Sequence, residues 1–257
     1  MHTTGHIEAL TREGSALLTA AEEAGWDAEV PSCPAWRIRD LVLHTGCVHR
    51  WASDYVAEGH AEARPIGSAS MPDGEVAGWF RSGYRTLVER LEAADDTLAC
   101  WSFLEGSPSP RAFWARRQAH ETAVHRVDAE LAAGRTPGPV APEFATDGID
   151  ELLTGFHTRP FSPVRSDTPR TLLVSTTDAP SAHWTLHLSS AAPRVERRET
   201  GAYDCRMRGP AAHLYLALWN RLPLDGVASV DGDTSVAALW QEASAIRQRT
   251  KRHAPTG

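Results

Sequence analysis

"RAFWARRQAHETAVHRVDAELAAG", residues 111–134, decides how this chain is read. It carries no proline, and no glycine before Gly134, which supplies a helix stop, so the whole stretch reads as one long helix. Within it, His120 and Glu121 followed by His125 almost spell H-E-x-x-H, the zinc-protease signature, with one residue too many. An α-helix turns by about 100° per residue. Glu121 and His125, four apart, therefore lie about 40° from each other on one face, and Asp128 falls back onto the same stripe. His120 stands five residues before His125, about 140° round a straight helix, and cannot share a metal with it. The protease reading fails, and the pair that converges is Glu121 with His125.

Two groups do not complete a metal site; a third has to come from another helix. The stretch "RIRDLVLHTGCVHRWASDYVAEG", residues 37–59, offers one. His44 shares a stripe with Leu41, Val48, Trp51 and Tyr55, read as the inward face, whereas His49 falls on a more polar flank with Thr45, Ala52 and Ser53. An inward histidine must satisfy its ring nitrogens. Meeting Glu121 and His125 through a metal does that, and two imidazoles with one carboxylate leave coordination open, as catalytic sites do. A hydrogen-bonded core histidine and a solvated Glu/His/Asp face remain open as the plainer alternative.

The flanking chain fits a bundle. "HIEALTREGSALLTAAEEAG" and "VAGWFRSGYRTLVERLEAAD" carry apolar residues at helical spacing, which makes four amphipathic helices joined by loops, an arrangement that predicts a four-helix bundle. "TDGIDELLTGFHTR" reads as a further helix. Beyond it the period shifts to two: "RTLLVSTTD", "AHWTLHLSS", "RVERRETG" and "YDCRMRG" read as short strands, followed by helices in "PAAHLYLALWNRL" and "TSVAALWQEASAIRQR". The fold class expected is therefore α plus α+β: a helical bundle over residues 1–160 and a small α+β domain over 161–257.

Composition narrows the functional classes. The 257 residues carry a formal charge of −7, against a nucleic-acid surface, and the basic tail "RQRTKRHAPTG" reads as a frayed end. No run is long and apolar enough for a membrane span. Cys33, Cys47, Cys100 and Cys205 are scattered without a C-x-x-C, and with a polar start they read as reduced thiols in a cytoplasmic protein, a monomer or weak dimer. Cys47, one turn from His44, reads as a small buried residue; Trp36 and Trp51 read as pocket wall or core; His183 and His187 read as surface residues on one face of a strand.

"VPSCPAWRIRDLVLHTGCVHRWA" (30–52) together with "RRQAHETAVHRVDAELAAG" (116–134) resembles the mycothiol-dependent maleylpyruvate isomerase family, and "GPAAHLYLALWNRLPLDGVASVDGD" (209–233) is similar to the closing motif of that family's C-terminal domain. The resemblance implies a DinB-like bundle followed by a sterol-carrier-like α+β domain. It implies zinc, or another divalent metal, on His44, Glu121 and His125. Asp128 matches a polar position near the site, and Arg221 an arginine implicated in activity, here in "WNR" where "GR" is commoner. It also implies mycothiol as thiol cosubstrate and a small-molecule electrophile as substrate. The thiol adds to an electron-poor C=C and is expelled after rotation, or is retained in an S-transfer. On that reading Arg221 pairs with a substrate carboxylate. A metal-dependent hydrolase or amidase, iron(II) oxygen chemistry and a non-catalytic metal-binding module are the competing expectations.

Overall fold

The computed structural model of the chain describes residues 1–178 and 182–245. The basic tail lies outside the described residues. Four long helices come first: α1 (Thr3–Ala24), α2 (Ile38–Glu58), α3 (Asp73–Ala93) and α4 (Pro110–Ala132). They form the bundle that the apolar spacing predicts, with α1 packed chiefly on α4 and α2 on α3. The start of α4 is fixed locally: Ser109 caps it by accepting from the Ala112 N–H at 3.2 Å, and Pro110 occupies the first turn, where no N–H is needed.

A short helix α5 (Pro142–Asp150) runs directly into a π-helical turn at Glu151–Phe156. The strands β1 (Arg170–Thr176), β2 (His183–Leu188), β3 (Arg194–Glu196) and β4 (Cys205–Gly209) follow, then α6 (Ala211–Leu218), β5 (Ser229–Gly232) and α7 (Thr234–Ala243). The five strands form one sheet in the order β3-β2-β1-β4-β5, antiparallel except for the β1–β4 pair. Four strands coincide with the period-2 runs. The fifth, Ser229–Gly232, is short and largely exposed, and it exists because it pairs with β4 from Ser229↔Arg208 to Gly232↔Cys205.

One apolar cluster runs through both parts of the molecule. It joins Leu10, Tyr55 and Trp114 of the bundle to Leu172 and Val174 of β1, Met207 of β4, Tyr215 of α6 and Trp240 of α7. A smaller cluster fills the far end of the bundle around Leu17, Ile38, Leu41 and Phe80. The two parts meet closely where α5 crosses α6: a Cβ on Gly148 would come within 2.4 Å of the Tyr215 ring and 2.8 Å of the His120 ring, so only glycine fits there.

The face of α2 differs from the sequence expectation. His49, placed on a polar flank, is fully buried, and Thr45, Ala52 and Ser53 are buried with it. His44, placed in the middle of the inward stripe, keeps 25% of its side chain exposed. The reason is that α2 packs against α1, α3 and α4, which widens its buried arc and shifts its centre toward Thr45 and His49. His44 sits at the edge of that arc. His183 and His187 are half-buried and hydrogen-bonded to Ser175 and Glu196. Cys47 is half-buried too.

Candidate metal centre

α4 reads as a charged helix, yet most of its faces are buried, including Arg117, His120, His125, Arg126, Asp128 and Glu130. A buried charge is tolerable only when paired. Each of these has partners: Arg126 bonds Glu13 and Glu130, Arg117 bonds Glu151 and Glu121, His120 meets Asp147, and Asp128 meets His125 and Arg221. α4 is thus the polar spine of the bundle, and the candidate centre lies on it.

His44 Nε2 and His125 Nε2 approach the same atom, Glu121 Oε1, at 3.5 and 3.2 Å. All three ligand atoms lie within 4.8 Å of one another. Donors bound at about 2.05 Å to a tetrahedral zinc ion stand about 3.3 Å apart. The donor set and its spacing therefore fit a divalent cation. Glu121 keeps 23% of its side chain exposed, so the cluster opens to solvent on the side of His44 and Glu121.

The surroundings orient these groups. His125 Nδ1 lies 2.8 Å from Asp128 Oδ2; donation from Nδ1–H to this carboxylate leaves Nε2 free as a ligand. Arg221 grips Asp128 with both teeth, Nε to Oδ1 at 2.8 Å and an Nη to Oδ2 at 2.9 Å, and its other Nη donates to the Trp219 carbonyl at 2.7 Å. Ser32 Oγ also donates to Asp128 Oδ1. The Trp36 ring covers His44 at 4.8 Å and stands 6.1 Å from His125, so Trp36 is a wall of the site, whereas Trp51 packs against Trp114, Trp101 and Tyr55 in the aromatic core. In this arrangement the Arg221 fork supplies the counter-charge that the buried Asp128 carboxylate needs.

Opposite charges packed closely together set the electrostatics of the group. Burial alone raises the Asp128 carboxyl, but the Arg221 guanidinium outweighs it and holds the group well below the usual carboxylate range. For His125 burial works downward, and the bonds to Asp128 and Glu121 overcome it, holding the imidazole up at about 9. Glu121 is likewise held low by His125 and His44 against the effect of burial. His49, one turn below His44, is driven by burial down to about 3 and stays neutral, with Nε2 2.8 Å from Thr122 Oγ1.

A second group, His6, His120 and Asp147, also brings three potential ligands together. Here both Nε2 atoms lie on Asp147 Oδ1, at 3.1 and 2.9 Å, but Arg116 Nε donates to that same oxygen at 2.7 Å. A ligand oxygen already holding a guanidinium is poorly placed for a cation, and the group reads as a hydrogen-bonded junction of α1, α4 and α5. It also accounts for His120, which lies off the Glu121–His125 face as the helical angle requires.

Three participants escaped the sequence reading. Arg117 donates to Glu121 Oε2 at 3.3 Å, and its R-x-x-x-E spacing was the available signal. Glu151, its other partner, and Ser32, in a loop, carry no periodic signal.

Two family models match the chain: the mycothiol maleylpyruvate isomerase N-terminal domain over residues 7–130, and the MDMPI C-terminal domain over residues 143–239. Among solved structures, the crystal structure of the mycothiol-dependent maleylpyruvate isomerase is similar with a TM-score of 0.62 at 12% identity, covering 90% of this chain and 93% of that one. A histidine-to-alanine mutant of that enzyme gives a TM-score of 0.61 at 11% identity, with the same coverage. At such identity the likeness is one of fold. No curated protein matches the chain.

Proposed function

Because the chain belongs to the mycothiol-dependent maleylpyruvate isomerase family, we propose that it is a divalent-metal enzyme that uses mycothiol to isomerise a cis alkene conjugated to a carbonyl, by addition of the thiol, rotation about the new single bond and expulsion. The family supports the reaction class. The convergence of His44 Nε2 and His125 Nε2 on Glu121 Oε1, at 3.5 and 3.2 Å, is the observation that carries the metal reading. A divalent cation there, zinc by preference, supplies the positive charge that holds a thiol as thiolate near neutral pH.

The chain's own residues do the rest by placement. Asp128 fixes the His125 ring and its tautomer, aiming Nε2 at Glu121 Oε1. Arg221 keeps Asp128 ionised inside the protein, which makes it a supporting group for His125 before any contact with substrate. Trp36 covers one face of His44 and limits water there, while the partly exposed edges of His44 and Glu121 give a thiol and a small electrophile their way in.

The test is metal analysis of purified protein together with turnover of cis alkene conjugates, maleylpyruvate among them, with and without mycothiol, for wild type and His44→Ala. The expected result is one bound divalent ion per chain and activity that needs both mycothiol and His44. Activity undiminished after all low-molecular-weight thiol is removed would sink the proposal. A stable thiol adduct in place of the trans product would assign S-transfer instead.

A further inference from the structure

Glu121 is engaged at both oxygens, and by different partners. Oε1 faces His44 and His125, whereas Oε2 accepts from the Arg117 guanidinium at 3.3 Å. Arg117 itself is almost fully buried, and a second Nη of it is bonded to the buried Glu151 at the start of the π-helical turn. Its guanidinium also lies over the Phe156 ring at 5.0 Å and near the Trp219 ring at 5.7 Å. An arginine held by a carboxylate and two aromatic rings presents a fixed fork, which a lysine cannot reproduce.

We infer that Arg117 is a positioning residue for the metal centre: it retires Oε2 and makes Glu121 a one-oxygen ligand. The inference rests on the proposed metal centre. A carboxylate free at both oxygens readily chelates a divalent ion through both, taking two coordination positions. With Oε2 occupied, that second position stays open for an incoming thiol, the open position a catalytic site requires. Partners of this kind, one bond removed from the metal, set ligand geometry and affinity. Glu151 anchors Arg117 from the other side, so the guanidinium is shared between two carboxylates and does not compete with the cation at full strength for Glu121.

The test uses the full chain loaded with Co2+, whose visible bands are strong in four- and five-coordinate sites and weak in six-coordinate ones. For Arg117→Lys, which keeps the charge and loses the fork, the expected result is weakened and shifted Co2+ bands with affinity lower by roughly 10- to 100-fold. In the wild type, the infrared difference between metal-loaded and metal-free protein, with Glu121 bands assigned through Glu121→Gln, should show the wide carboxylate splitting of one-oxygen ligation. That measurement stands even when Arg117→Lys does not fold. A narrow, chelate-type splitting in wild type, or a folded Arg117→Lys with unchanged bands and affinity, overturns the inference; an arginine that serves only packing lowers thermal stability and leaves both spectra alone. Failure of the metal reading shows differently, as a wild type without a Co2+ site or Co2+ bands that persist in His44→Ala.

Discussion

Asp128 takes hydrogen bonds from three side chains at once, Ser32, His125 and Arg221, and is completely buried. Asp128→Asn should act in two ways. It loosens the His125 ring, weakening metal affinity by roughly 10- to 100-fold. It also strips the largely buried Arg221 of its counter-charge, costing about 3 kcal/mol of stability. Titration calorimetry with Zn2+ and denaturant unfolding read the two separately, and a variant altered in neither would remove Asp128 from the centre. His157 gives a pH prediction away from the site. Burial pushes its imidazole from 6.5 down to about 4, and its Nε2 has no partner among the described residues. As pH falls below 6.5 the unfolded chain takes up the proton first, so stability present above that pH is lost on the way down to about 4. The loss is at most roughly 3 kcal/mol. His157→Phe should flatten this part of the acid limb in unfolding measured at pH 7 and 4.5; an unchanged slope rules His157 out as its source. At this scale spacing revealed the pairing of Glu121 with His125, while His44 joins them from the edge of the buried arc of α2, not from its centre. Arginine and glutamate four apart are in sequence indistinguishable from a solvated pair, and only tertiary packing buries Arg117.

Helices were the most readable elements, because apolar spacing and punctuation by Gly25, Gly59 and Gly134 are local properties. What spacing does not carry is the number of neighbours an element acquires. α2 touches three helices, so its buried arc exceeds a single stripe, and His49 rather than His44 lies at its centre. α4 shows the same effect more strongly: its charges look solvent-facing in sequence and are paired inside the protein by Glu13 of α1, Asp147 of α5 and Glu151 of the π turn. β5 was unreadable because Ser-Val-Asp-Gly has no alternation to detect and becomes a strand only beside β4. The α4 N-terminus can be tested alone. Ser109→Ala removes the cap on Ala112 and should lower unfolding free energy by about 1 kcal/mol without changing metal affinity. A loss of metal affinity would show that the cap reaches further than one turn.

The shared apolar cluster couples the bundle to the sheet, so the molecule should unfold as one unit. Calorimetry is expected to show one transition with equal calorimetric and van't Hoff enthalpies. Two separated peaks would contradict the continuity of the core. Gly148→Ala places a Cβ against Tyr215 where there is no room, and should destabilise the whole molecule by roughly 1–3 kcal/mol. The π turn at Glu151–Phe156 lies on the same seam and has a consequence for how such chains change over evolution. A π turn holds one residue more than the α-helical turn it replaces. Here that surplus lies between Glu151 and Phe156, which both address Arg117. Losing one residue from this turn would relax it to α geometry with Glu151 and Phe156 four apart, about 40° from each other, so both would still face the guanidinium. A codon can thus be lost here with both neighbours of Arg117 kept in place, so lineages of this fold are free to differ in length by one residue at this seam.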